Sequence, residues 1–173
     1  RIRFGLFNLF FISFYQNMLI FLFSTPLLLA AVNQVTAVTV IDLIAAFLML
    51  IFIVMESLAD NQLFRFQTEK KGLQKGIPVY RESLVKGFMS EGFWKYVRHP
   101  NFASEQAIWA SFYFFGVAAS GKWINLTIAG PILLILLFIG SSAMTERISS
   151  GKYPEYKNYQ KAVPKFFPWV GRR

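Results

Sequence analysis

The sequence predicts an all-α fold: a polytopic membrane helix bundle of about four spans plus a C-terminal amphipathic helix. Three observations predict it. Apolar residues gather in blocks of about 20, the length that crosses a bilayer. The net charge of +9 lies between the blocks rather than on them. Charged residues make up only 16% of the chain, where soluble domains average about 25%. A hydrophobic content of 55% excludes disorder, and the absence of Cys excludes a disulfide scaffold.

The first block runs from Phe4 to Val32 and carries no formal charge. Pro26 is expected to kink or end it. The second runs from Val35 to Met55 with Asp42 as its one charge, and continues through ESLADNQLFRFQTEKK as a helix leaving the membrane. The third runs from Phe102 to Ser120 and the fourth from Trp123 to Met144. Arg1 and Arg3 precede a block too long for a signal peptide. Residues 1–173 therefore read as a single membrane domain. The start at Arg1 rather than Met makes it the expected C-terminal part of a longer chain.

Charge sets the expected orientation. Arg65 to Arg98 holds eight Lys or Arg and Arg147 to Arg173 holds seven, while the short turns hold only Lys122. With four spans, every basic segment falls on one side. The positive-inside rule makes that side cytoplasmic or its equivalent, including the loop Gly72 to Gly92 and the C-terminus. Membrane lipids and an anionic cofactor account for the basic surface without nucleic acid.

Three groups of residues could carry chemistry, because polar residues at a span edge are costly. The first is Glu56, Asp60, Asn61, Gln62 and Arg65. Glu56 and Asp60 share a helix face, although a solvated helix end explains them equally well. The second is GFWKYVRHPNFASEQAIW, from Gly92 to Trp109. Pro100 biases His99 to an extended conformation. Asn101 stands near a helix start, with Glu105 and Trp109 on its face. Arg98, His99 and the helix N-terminus suggest an anion site. A structural hydrogen bond explains a lone His as well, and Trp94 and Tyr96 also suit interfacial anchors. The third is TERISSGKYPEYKNYQKAVPKFFPW, where Tyr153, Tyr156 and Tyr159 follow Glu146 and Arg147. Such tyrosines line the face of an interfacial helix or cover a flat ring. One His and no Cys leave the usual zinc sites unsupported.

The order of these groups resembles the steroid 5-alpha-reductase and sterol-reductase superfamily of membrane enzymes. It is closest to the steroid-reductase-like membrane proteins of unassigned substrate. GFWKYVRHPNFASEQAIW resembles that family's aromatic turn, RHPNY-x-G-E and Trp; ESLADNQLFRFQTEK resembles its helix end; KYPEYKNYQKAVPKFFPW resembles its Tyr-rich tail. The resemblance implies an NADPH site on the cytoplasmic side, formed by residues 56–105 and 146–168. Asp60 and Arg65 would contact the cofactor, and Trp94, Arg98 and His99 would line its pocket. Asn101 and Glu105 would hold the carboxamide end, and Glu146, Arg147, Tyr153 and Tyr156 would close the other side. The implied reaction is hydride transfer to an enone or polyene double bond of a hydrophobic lipid or steroid-like substrate, with no catalytic residue named.

Some positions depart from the pattern. Ser104 stands where the family has Gly, and Phe64-Arg65-Phe66-Gln67 shifts its arginine. The early spans that carry substrate polarisation in steroid reductases are not in this chain. Two rival readings follow. Isoprenylcysteine carboxyl methyltransferases share the RHP turn and the Tyr-x-x-Tyr…Val-Pro tail, which would imply S-adenosylmethionine. Against that, this chain has a single Glu146 and an Asn101. The other reading is a non-catalytic subunit that retains the fold and binds partners in a membrane complex.

Overall fold

The computed structural model describes residue 5 and residues 13–33, 37–73 and 81–168. Arg1, Arg3, most of the first block before Ser13, part of the basic loop and the last five residues lie outside them. Among the described residues the chain is all-α, with α1 at Tyr15–Val32, α2 at Val40–Leu73, α3 at Glu82–Lys86 and α4 at Pro100–Ser120. Helices α5 at Ala129–Lys152 and α6 at Tyr156–Ala162 follow, with 3₁₀ turns at Gly92–Lys95 and Leu126–Ile128.

Three helical segments are long and apolar enough to cross a membrane: Tyr15–Val32, Val40–Gly72 and Leu126–Lys152. The chain is an integral membrane protein. These segments match the first, second and fourth expected spans. Helix α4 has the length, 21 residues, but not the apolarity. Asn101, Ser104, Glu105, Gln106 and Ser111 dilute its first half.

Two compact units divide the chain: one from residues up to Leu50 with Gln106–Leu137, the other from Ile51–Glu105 with Phe138 onward. In the first unit, α1 continues past Pro26, so the proline does not end it. The proline removes the N–H that would reach the Leu22 carbonyl. The Thr25 hydroxyl donates to that carbonyl instead, at 2.6 Å. Gly130 lies close to the same carbonyl, where a Cβ would sit 2.9 Å from its oxygen. Phe23 packs on Trp109 with ring centroids 4.6 Å apart. Asp42, the lone charge of the second block, belongs to a cap. Its Oδ2 accepts from the Thr39 N–H and hydroxyl, each at 2.8 Å, and its own N–H donates to Thr39 Oγ1.

Helix α2 has 34 residues and is about 50 Å long, well beyond the roughly 30 Å of a hydrocarbon core. Its C-terminal half belongs to the second unit. There Phe66 buries against Leu84, Met89 and Trp94, with Leu63 at the edge. The described part of the expected loop is partly helical. Gly87, at φ +81, ends α3 in the left-handed conformation that glycine adopts without strain.

Candidate functional site

The second unit holds a cavity of about 280 Å³. Helix α2 supplies Phe66, Gln67 and Lys70, and the segment after α3 supplies Gly87, Phe88 and Trp94. The RHP turn, α5 and the tyrosine segment complete it. The RHP turn is held by the tail. The N–H groups of Arg98 and His99 donate to the carbonyls of Pro164 and Lys165 at 2.9 and 3.1 Å. Pro100 then opens α4 at the position where its missing N–H costs nothing, and the His99 carbonyl accepts from Ala103.

Arg98, His99 and Glu146 form a buried brace. Arg98 Nε donates to Glu146 Oε1 at 2.7 Å, and Nη2 donates to Oε2 at 3.3 Å. Its Nη1 donates to the carbonyls of Gln160 and Val163. His99 Nε2 lies 2.9 Å from Glu146 Oε1 and is the donor, since a carboxylate only accepts. Gln160 Nε2 completes the set on Oε2 at 3.1 Å. Arg98 thus spends most of its donors on protein, and its chief role here is to join the RHP turn, α5 and the tail. The structural hydrogen bond considered for His99 is present.

Asn101 Nδ2 donates to Asp60 Oδ1 at 3.1 Å, which orients the amide and turns its oxygen away. Glu105 hydrogen-bonds Glu56 on the neighbouring helix. Among the described residues, two buried side-chain polar atoms have no protein partner: Trp94 Nε1 and Asn101 Oδ1. Both residues line the cavity. One atom is a donor and the other an acceptor.

The three tyrosines gather their rings around Phe88, with centroids 5.9, 5.0 and 5.2 Å away for Tyr153, Tyr156 and Tyr159. Burial and the nearby Glu146 charge push the Tyr156 phenol up to about 12. Burial also raises Tyr159, whose hydroxyl donates to the Trp94 carbonyl. Tyr153 moves the other way. Burial acts to raise it, but hydrogen bonds from Lys70 and Lys152 bring it below the ordinary phenol value.

Six of the residues proposed from sequence line the cavity: Trp94, Arg98, His99, Asn101, Tyr153 and Tyr156. Asp60 and Glu146 stand behind it as partners of Asn101, Arg98 and His99, and Glu105 pairs with Glu56. Arg65 and Arg147 are exposed and lie outside the cavity lining.

Sequence reasoning missed Lys70 and Glu91, and it named Gln62 without finding its partner. Lys70 Nζ donates to Tyr153 Oη at 2.8 Å and to the Gly87 carbonyl. Gln62 Oε1 accepts from the Phe93 N–H at 3.0 Å. Glu91 accepts from the Ser83 hydroxyl and N–H and from Arg81, and these bonds hold its carboxyl down at about 2. Arg81 also pairs with Glu69 on α2 at 2.9 Å. For Glu91 the available signal was charge within a loop expected to be functional, and for Lys70 a cation on the helix end that carries Asp60 and Arg65; each marks a region but not its pairings.

Comparison with known proteins gives two positive findings. A family model described as "Protein of unknown function (DUF1295)" matches residues 3–163. An uncharacterized protein of Schizosaccharomyces pombe is 36% identical over 170 residues, covering 94% of this chain and 49% of the relative. The chain therefore spans about half the length of the curated relative it matches. No solved structure matches. With nearly its whole length, from the first apolar block through the brace to the tyrosine segment, the chain belongs to the DUF1295 family.

Proposed function

We propose that this protein is a membrane-embedded, NADPH-dependent reductase of a carbon–carbon double bond in a lipid or steroid-like molecule. The observation that carries the reading is that two residues lining the cavity, Trp94 and Asn101, each hold a buried polar atom with no protein partner, Nε1 and Oδ1. A primary carboxamide offers an acceptor oxygen and a donor NH₂, which is the complement of those two atoms. Aromatic walls suit the flat ring that bears it. A volume of about 280 Å³ suits the ring end of a dinucleotide, not the whole molecule. The steroid- and sterol-reductase resemblance of the RHP turn, the ADNQ helix end and the tyrosine tail supports the same reading.

When bound, NADPH would supply the hydride. The chain's own residues would do the rest. Trp94 and Asn101 would orient the ring, and Asp60 would fix the Asn101 amide. The Arg98–His99–Glu146 brace would hold the turn from which Asn101 projects. The apolar flanks of α2 and α5 suit a substrate arriving from the bilayer. The basic segments on this side of the spans fit a cytoplasmic site.

One observation separates this reading from methyl transfer. Lys70 Nζ lies 4.7 Å from the centre of the Tyr153 ring, so an ammonium already occupies the aromatic wall. It opposes the sulfonium cation that must bind at the start of methyl transfer, whereas a dihydronicotinamide would bind neutral and gain its positive charge only as hydride leaves. The test is equilibrium binding of NADPH and of S-adenosylmethionine to the protein in detergent. Saturable NADPH binding supports the reductase. Binding of S-adenosylmethionine alone assigns a methyltransferase, and binding of neither a structural subunit.

A further inference from the structure

We propose that Tyr153 is the proton donor of this site and that Lys70 stabilises the charge it leaves behind. The inference rests on the reductase reading and adds the group that completes its chemistry. Its basis is donor and acceptor counting. Lys70 Nζ donates to Tyr153 Oη at 2.8 Å, and the Lys152 ammonium lies 5.5 Å from the centre of the same ring. An ammonium group donates and never accepts. The Lys70 bond therefore ends on the phenol oxygen and does not receive the phenol proton. Among the described residues no protein group accepts that proton. It belongs to a hydroxyl at the wall of a cavity that Tyr153 and Lys70 both line.

The position of the ring is fixed. Gly87 has φ +81, and a Cβ there would come within 2.7 Å of Tyr153 Cε1. Only a residue without a side chain lets the ring lie against this turn. The Gly87 carbonyl also accepts from Lys70 Nζ, so one turn seats both the ring and the ammonium. Lys70 from α2 and Lys152 from α5 are the charged groups facing the hydroxyl. Both are cationic, and both favour phenolate over phenol.

Reduction of a polarised double bond adds a hydride to one carbon and a proton to the other. The hydride electrons come from the reduced dinucleotide, which is oxidised. The Tyr153 O–H bond breaks as the proton joins the substrate, and the electron pair remains on the phenolate oxygen beside Lys70. Water then returns a proton to the phenolate. Tyr156 and Tyr159 are unsuited to this role, because burial holds both phenols above the ordinary value.

The test is a spectroscopic titration of phenolate in the full chain in detergent, with no ligand present. The chain has seven tyrosines. The expected result is one phenol ionising below the ordinary phenol value. That transition is absent in Tyr153→Phe and moves up in Lys70→Met. Lys152→Met shifts it the same way by less. Should Lys70→Met fail to fold, wild type against Tyr153→Phe decides. The absence of an early transition, or one that persists in Tyr153→Phe, overturns the proposal whatever the protein binds. An early transition in a protein that does not bind NADPH removes the reductase reading and leaves the acidic Tyr153–Lys70 pair in place.

Discussion

Glu146 and His99 stand 47 positions apart in the chain and meet at 2.9 Å, Oε1 to Nε2, inside the protein. The same carboxylate also receives Arg98 and Gln160, so one acid joins the RHP turn, α5 and α6. Glu146 is 7% exposed and His99 5%, so bulk water screens neither. Removing one member of such a set leaves the others buried and uncompensated.

Glu146→Ala should therefore cost about 3 kcal/mol or more, seen as a lower midpoint of thermal unfolding in detergent. Glu146→Gln keeps the shape and one acceptor and should lose less. Equal midpoints for wild type and Glu146→Ala would show that the brace contributes nothing to stability.

Acid should loosen the segment after α3 through Glu91. Its carboxyl is held at about 2, below its ordinary value of 4.5, chiefly by the Ser83 hydroxyl. A depressed acid contributes stability that is full above its unfolded value and lost as pH falls through the folded one. The window is thus roughly pH 4.5 down to 2. Protection of the Ser83 amide, whose N–H donates to Glu91, should fall across that window relative to its intrinsic exchange rate at each pH. Glu91→Gln should flatten this dependence. An identical acid profile in the variant would assign the change to another carboxylate.

Glycine substitutions should separate a required close approach from a passive position. Gly92 has φ +59, and a Cβ there would collide with the Gln62 amide that accepts from Phe93. Gly92→Ala should destabilise by about 1–3 kcal/mol and weaken NADPH binding, because the Trp94 turn moves with it. Gly140 lies within α5 with nothing near its Cβ direction. Gly140→Ala should be neutral or stabilise by up to about 1 kcal/mol. Comparable losses in both variants would mean that Gly92 has no special role.

The fold was legible wherever a single property sufficed. Apolar runs with at most one charge identify α1, α2 and α5 as spans, because only satisfied helices of that length suit a bilayer. The third expected span, α4, was legible by its length of 21 residues, while Asn101, Ser104, Glu105 and Gln106 dilute the apolarity of its first half. In the site, the RHP turn was legible because Pro100 restricts His99 and opens the next helix. The roles within it were less so. Arg98 looked like a free anion ligand, and nothing local announces that Glu146 lies opposite it. Lys70 sits in the EKKG run and reads as a solvated cation. Its partner Tyr153 is 83 positions away, a pairing that only the folded chain reveals.

The central claim is that Trp94 and Asn101 recognise a carboxamide, and one comparison tests it most directly. NADPH and its analogue with an acetyl group in place of the carboxamide would be titrated into the wild-type protein and into Asn101→Ala. The analogue keeps the acceptor oxygen for Trp94 but lacks the NH₂ that Asn101 Oδ1 requires. An unmet buried acceptor costs about 1–3 kcal/mol, so wild type should bind the analogue about tenfold or more weakly. Asn101→Ala should bind both weakly and no longer distinguish them. Equal affinity of the wild-type protein for the two ligands, or discrimination that survives in Asn101→Ala, would contradict the account.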